Sequence, residues 1–176
     1  PFRPQTSPSA ENLLAEGFTP SVNYWSDEIQ AWAYAWELDP LLVATVMQIE
    51  SCGDPDALSP AGAQGLFQVM PYHFEPGEDP FNPEINARRG LAYLQQSFLL
   101  SDGDIERTLA GYNGGHGQIS REKPLWPDET QRYVNYGSAI YQEAVLGEEG
   151  GKALSAWLNA GGWRLCQTAE EFLSLD

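Results

Sequence analysis

Positive charge is scarce in this sequence: 9 Lys and Arg stand against 25 Asp and Glu over 176 residues, a formal net charge of −16. Neutralising phosphates needs clustered Lys and Arg, so nucleic-acid binding is excluded as a role, and so is attraction to an anionic membrane surface. The acidic residues are spread along the chain rather than gathered in one block, which is the pattern of a solvated surface. Long apolar runs are also missing. No stretch reaches the roughly 18 apolar residues of a membrane-crossing helix, and no basic-then-apolar leader opens the chain, so membrane insertion is not expected. Histidine is limited to His73 and His116, and neither has a second ligand nearby, so no metal site and no cofactor are expected. No phosphate loop, nucleophile elbow or dinucleotide fingerprint occurs.

Cysteine is nearly absent as well: Cys52 and Cys166 are the only 2. They lie far apart and fit no metal spacing. Either they are paired or they are two buried thiols. In an exported protein an even count favours pairing, and the bond would fasten the C-terminal segment beside position 50.

What remains is enough for one domain with decorations. The Pro-rich opening from Pro1 to Ser9 reads as a tether, and Ser9 to Glu16 as a short helix stopped by Gly17. Ser26 or Asp27 caps a helix with Ile29, Trp32, Ala33 and Trp36 at helical spacing, ending near Leu38. Asp39 then caps a second, with Pro40 at the first helical position, where its missing N–H costs nothing. Leu42, Val43, Val46, Met47 and Ile49 leave that helix almost no polar face, so it is expected at the centre of the domain. From Cys52 to Pro83 periodicity vanishes in favour of Gly, Pro, Asp and Asn, with Gly65 to Val69 as the only short strand or hairpin candidate. Helices resume after Asn82, with Ile85, Leu91, Leu94 and Phe98 inward, and after Asp104, the latter ended by Gly111, Gly114 and Gly115. A longer helix opens at Asp128 and stops at Gly147. The tail divides into Lys152 to Leu158, stopped by Gly161 and Gly162, and a final helix opened by Thr168 with Glu171 as a capping box. The division expected is a tether over 1–22, a catalytic domain over 23–147 and a helical appendage over 148–176 packed on it.

Glu50 is the residue that suggests chemistry. It closes the apolar helix from Pro40, where the negative end of the helix dipole and low-polarity neighbours both disfavour a carboxylate and raise its pKa. An acid still protonated at neutral pH is what a glycosidic oxygen needs.

Further motifs follow Glu50-Ser51 in order: Ser59 with Gly62, Ala63, Gly65, Leu66, Phe67, Gln68 and Pro71; Ala110 to Gly114 with Tyr112 and Asn113; and Glu129-Thr130 with Tyr133-Val134. As an ordered set spanning roughly Trp25 to Ala144 they resemble the soluble lytic transglycosylase family of peptidoglycan-cleaving enzymes, related to goose-type lysozyme. The resemblance implies a mainly α, lysozyme-like (α+β) fold: a helical domain with a small β-hairpin element beside a substrate cleft. It places Glu50 as the single catalytic acid and base. Gln68, Tyr112 and Asn113 would line the sugar groove, Tyr133 would support the catalytic carboxylate, and Ser59 would lie near the reacting sugar's N-acetyl group. It also implies peptidoglycan glycan strands as the partner, an exported protein working in the envelope, periplasm or outside the cell, and action as a monomer.

The residue chemistry agrees with those roles. Asn and Gln each offer a donor and an acceptor to sugar amides and hydroxyls. Gly62, Gly65, Gly111, Gly114 and Gly115 would let backbone approach a polymer. Phe67, Tyr72, Phe74, Tyr112 and Trp126 could offer flat faces to sugar rings; Phe67 and Tyr112 are expected in the groove because polar residues flank them, while Phe74 and Trp126 are expected to pack. The implied reaction needs one carboxylate, with the substrate's acetamido group assisting and a 1,6-anhydro end as product. Hydrolysis by the same fold would need a second acid, for which Asp54, Asp56 and Glu75 are candidates. A wall-binding module without turnover is the rival from another class, and it would have no need of Glu50. Gly111 and Phe67 stand where alanine and methionine are frequent in the family, and Cys52 beside Glu50-Ser51 is a further departure.

Overall fold

The computed structural model describes residues 17–147 and 151–175. Helices α1 (Pro20–Asn23), α2 (Ser26–Ala35), α3 (Pro40–Glu50), α4 (Pro83–Leu100), α5 (Ile105–Gly114), α6 (Asp128–Leu146), α7 (Lys152–Trp157) and α8 (Trp163–Leu173) follow one another, with 3₁₀ turns at Pro71–His73, His116–Gln118 and Lys123–Leu125. Three of the starts have side-chain caps, whereas α2 has Trp25 at its cap position with no side-chain cap bond, and the expected caps Ser26 and Asp27 lie inside the helix. The Asp39 carboxylate accepts from Leu41 N (2.9 Å), Asn82 Oδ1 from Glu84 N and Ile85 N (3.1 and 3.2 Å), and Asp104 from Arg107 N (2.8 Å). Pro40 and Pro83 occupy first helical positions, where no N–H is required. Gly147, at φ 62°, supplies the left-handed residue that ends α6.

Helix α3 is the centre. Leu42, Val43, Ala44, Val46 and Met47 have no accessible surface, and the helix packs against α1, α2 and α6. Helix α5 lies against both α4 and α6. Phe18 and Val22 belong to the same core at 5% and 0% exposure, so residues from 17 onward are domain rather than tether. The helix expected over Ser9 to Glu16 lies outside the described residues.

The segment between α3 and α4 contains no strand among the described residues. It holds two isolated bridges, Leu58 with Gln64 and Gln64 with Val69. Gly65 (φ 72°) and Gln68 (φ 47°) both turn the chain in the left-handed region, so the pairing of Gln64 with Val69 closes at once and cannot extend into a ladder. Side chains from flanking helices hold this turn in place. Ser51 Oγ, just after α3, donates to Leu66 O (2.8 Å), and Tyr112 of α5 donates its hydroxyl to Phe67 O (2.7 Å). Asn86 of α4 accepts from Phe67 N (2.8 Å) and donates to Gln64 O (2.7 Å) and Pro80 O (2.9 Å).

The C-terminal segment differs in part from the sequence expectation. Gly161 (φ 124°) leaves helical geometry and parts α7 from α8, as the sequence suggests, although only the kinked turn Leu158–Gly162 lies between them. Thr168 is inside α8, its hydroxyl donating to Arg164 O (3.1 Å), and Glu171 accepts from Gln167 instead of completing a capping box. Packing overrides the local signal, because Gly162, Cys166 and Ala169 recur on one helical face and are all buried. Trp157, Cys166 and Ala169 join the main core, so this segment is built into the domain instead of resting on it. A disulfide joins Cys52 to Cys166 across 114 residues.

Candidate active site

Glu50 is the last residue of α3 and faces a cleft of about 460 Å3. Part of the residue remains accessible, but its carboxyl group lies among desolvating neighbours that push its pKa up to about 8. Burial is the largest cause, the Tyr133 hydroxyl pulls the other way, and the Glu129 carboxylate adds a further upward push. The Tyr133 hydroxyl is buried and without a hydrogen-bond partner of ordinary geometry. Tyr133 and Glu50 are neighbours close enough to interact without closing a hydrogen bond.

Glu50, Ser59, Gln68, Tyr112 and Asn113 all border this cleft, brought together from α3, the loop and α5. Ser59 Oγ accepts from Ala63 N (2.9 Å) and shapes its own turn. Gln68 Nε2 donates to Ala57 O and Gly65 O (3.1 and 3.0 Å), so its amide nitrogen is engaged by the loop. Asn113 Oδ1 accepts from Thr130 Oγ1 (2.9 Å), leaving its amide nitrogen as the group able to donate to a ligand. The Tyr112 hydroxyl is already engaged with Phe67 O, so the tyrosine presents its ring rather than its oxygen.

Phe67 is not in the cleft. Its side chain has no accessible surface and packs edge-on against Trp32 at 6.0 Å, so it is a core residue while its backbone carries the loop. Gly111 does not bring backbone near a polymer either. It is interior to α5, where a Cβ would stand 2.7 Å from Ile119. Gly114 is its counterpart against Thr130, at 2.6 Å, and Gly115 (φ 88°) is the residue that ends the helix. Trp126 packs, 4% exposed, with its indole donating to Gln118 O (2.9 Å), and Phe74 packs against the core.

The structure adds Tyr93 and His116, which sequence reading did not assign to the groove. Tyr93 of α4 stacks on His116 (4.2 Å, 15° between planes) and approaches His73 (5.1 Å) and Tyr112 (5.9 Å). Together with exposed Tyr72, 4.6 Å from His73, these rings make an aromatic wall. Asp54, Asp56 and Glu75 border no part of the cleft, whereas Glu129 does. The signal for Glu129 was its place one turn before Tyr133 on the same helix; for Tyr93 there was none beyond its position on α4. Among the described residues no group of three or more His, Cys, Asp or Glu side chains is arranged to hold a metal ion, and no helix is long and apolar enough to cross a membrane.

The chain as a whole resembles known proteins. The chain is similar to the transglycosylase of Enterobacteria phage PRD1, 35% identical over 111 residues that cover 62% of this chain and 40% of that protein. It is also similar to the endo-type membrane-bound lytic murein transglycosylase A of Klebsiella pneumoniae, 37% identical over 84 residues and 40% of each chain. The chain thus spans about 40% of the length of these relatives. Among solved structures, it superposes on an inactive glutamate-to-glutamine mutant of the lytic transglycosylase Slt from Pseudomonas aeruginosa with a TM-score of 0.56 and 25% identity, covering 75% of this chain and 24% of that one. The Transglycosylase SLT domain family matches residues 27–133, and with its lysozyme-like, mainly helical fold the chain belongs to that family.

Proposed function

We propose that this protein is a peptidoglycan lytic transglycosylase that cleaves the β-1,4 bond between N-acetylmuramic acid and N-acetylglucosamine, with Glu50 as acid and then base. The observation that carries the reading is a carboxyl group held protonated near neutral pH by burial, at the centre of a groove bordered by amide and aromatic side chains. The names of the relatives support it.

Protonated Glu50 donates its proton to the glycosidic oxygen as the bond to C1 breaks, and the substrate's acetamido oxygen bonds to C1. Glu50, now a carboxylate, removes the proton of the C6 hydroxyl. O6 then attacks C1 and displaces the acetamido oxygen, leaving a 1,6-anhydro end and a protonated Glu50. No water is consumed. The neighbouring Tyr133 hydroxyl favours the carboxylate that exists between the two transfers. Substrate of this kind places the protein in the cell envelope, periplasm or outside the cell, where a Cys52–Cys166 disulfide is stable.

One observation favours a second reading. Glu129 borders the groove beside Glu50 and is the carboxylate able to activate water, which would make the reaction a hydrolysis. The products distinguish the two. Mass spectrometry of fragments released from purified cell wall is expected to give anhydro ends, one water lighter than reducing ends. Reducing ends would replace the first reading by the second. Glu50→Gln should abolish release with the fold retained by circular dichroism; lytic activity persisting in that variant would refute the role of Glu50. Strand binding by the wild type without any release would leave a wall-binding module.

A further inference from the structure

The cleft does not stop at Glu50. A second lobe of about 360 Å3 shares Glu50, Asn113 and Glu129 with the first and continues past them. Helix α6 lines it with Arg132, Tyr133 and Tyr136, and Trp157, Ala160 and Gly162 of the C-terminal segment form its other wall. Those last residues lie outside the region shared with the family, residues 27–133.

The wall is held in place. Trp157 is 7% exposed and lies so close over Gly162 that a Cβ there would come within 2.6 Å of its ring. Gly161 makes the kink at φ 124° that turns α7 into α8. The disulfide then ties α8 to Cys52, two residues beyond Glu50. The C-terminal segment and the acid are therefore fixed relative to one another.

Charge gives the lobe a chemistry. In a chain of net charge −16, cations are few, and most described ones are engaged. Arg88 and Arg89 bind Glu78, Lys123 binds Glu106, Arg107 donates to Ile119 O, and Arg164 lies over the Trp163 ring. Arg132 is exposed at the second lobe and enters no ion pair among the described residues. Its guanidinium is suited to bidentate pairing with a carboxylate. An anionic strand approaching this acidic protein meets repulsion, from Glu129 in the lobe as from the rest of the surface, so Arg132 is the group there that can supply attraction and register.

We propose that the second lobe is a carboxylate-binding subsite, with Arg132 as its specificity-determining residue and Trp157 and Ala160 as a wall contributed by the C-terminal segment. This rests on the reading that the groove holds a glycan strand. The carboxylate has two sources on such a strand, the stem peptide or, on a muramoyl sugar that carries no peptide, the lactyl ether.

Isothermal titration calorimetry on the Glu50→Gln variant measures binding without turnover. The ligands are peptide-bearing strands, strands stripped of peptide, and uncharged N-acetylglucosamine oligomers. Adding Arg132→Gln should weaken the carboxylate-bearing strands about tenfold, in line with one charge-assisted pair, and leave the neutral oligomers unchanged. Arg132→Lys should restore part of the loss. Loss confined to stripped strands assigns the lactyl carboxylate, which exists only where no peptide is attached; loss confined to peptide-bearing strands assigns the stem peptide; loss with both means that Arg132 pairs with whichever of the two carboxylates the strand presents. Ala160→Trp, which fills the lobe from an exposed position, should weaken all long ligands with an unchanged thermal midpoint. Equal loss for charged and neutral ligands in the Arg132→Gln variant, or no loss, overturns the subsite. If wild-type protein releases no wall fragments while these differences persist, the catalytic reading fails and the subsite stands. If the Glu50→Gln parent binds no strand at all, both fail.

Discussion

At the scale of single residues, burial is the main reason that Glu50 is an acid near neutral pH, with Glu129 adding to it and Tyr133 opposing it. A general acid must be protonated to act, so activity should hold below pH 7 and fall as pH rises through about 8. Tyr133 lowers the pKa of Glu50, so Tyr133→Phe should move the falling limb of the pH–rate profile to higher pH and reduce the rate of the step that needs the carboxylate. A limb that stays in place would show that the hydroxyl does not act on Glu50. The position of Glu50 was legible in the sequence because a capped, almost wholly apolar helix ends on it. The action of Glu129 on Glu50 was not, although Glu129 reads as a motif member one turn before Tyr133, because that action depends on how α3 and α6 pack, and no local pattern encodes that distance.

At the scale of elements, the loop between α3 and α4 depends on side chains that reach it from outside. Asn86, fully buried, satisfies Phe67 N, Gln64 O and Pro80 O at once. Asn86→Ala strands these groups and should cost about 3 kcal/mol or more, since each buried unsatisfied polar group costs roughly 1–3 kcal/mol. Denaturant unfolding would measure it, and a loss under about 1 kcal/mol would mean that water replaces the side chain. Ser51 and Tyr112 show the same logic: residues that read as motif members fasten the loop that carries Gln68. Phe67 marks the limit of reading a motif by its flanks. Polar neighbours pointed it to the groove, but the turn set by Gly65 and Gln68 sends its ring inward to Trp32.

At the scale of the whole molecule, the disulfide closes a loop of 114 residues between the centre of the core and its last helix. In the loop-entropy account a bridge over roughly 100 residues contributes about 4–5 kcal/mol at 25 °C. Replacing both cysteines by serine should therefore lower the thermal midpoint by about 10–15 °C for a domain of this size. A shift of only a few degrees would indicate that packing of α8 against α1, and of Trp157 and Ala169 in the core, suffices alone. The sulfurs sit among Thr19, Ser21 and Gln48, so the same substitution also loosens the contact between α1 and α3.

The sequence by itself determined the longer helices, the caps at Asp39, Asn82 and Asp104, the central place of α3 and the identity of the candidate acid, because caps and apolar periodicity act over a few residues and are written locally. It also set the net charge of −16. Tertiary structure alone decided that Phe67 is core and Tyr93 is groove, that Glu129 adjoins Glu50, and that the C-terminal segment walls a second lobe beside Arg132. Each of these is a distance between elements remote in sequence. Such distances are fixed by how buried faces pack and where the disulfide closes, which no single segment contains.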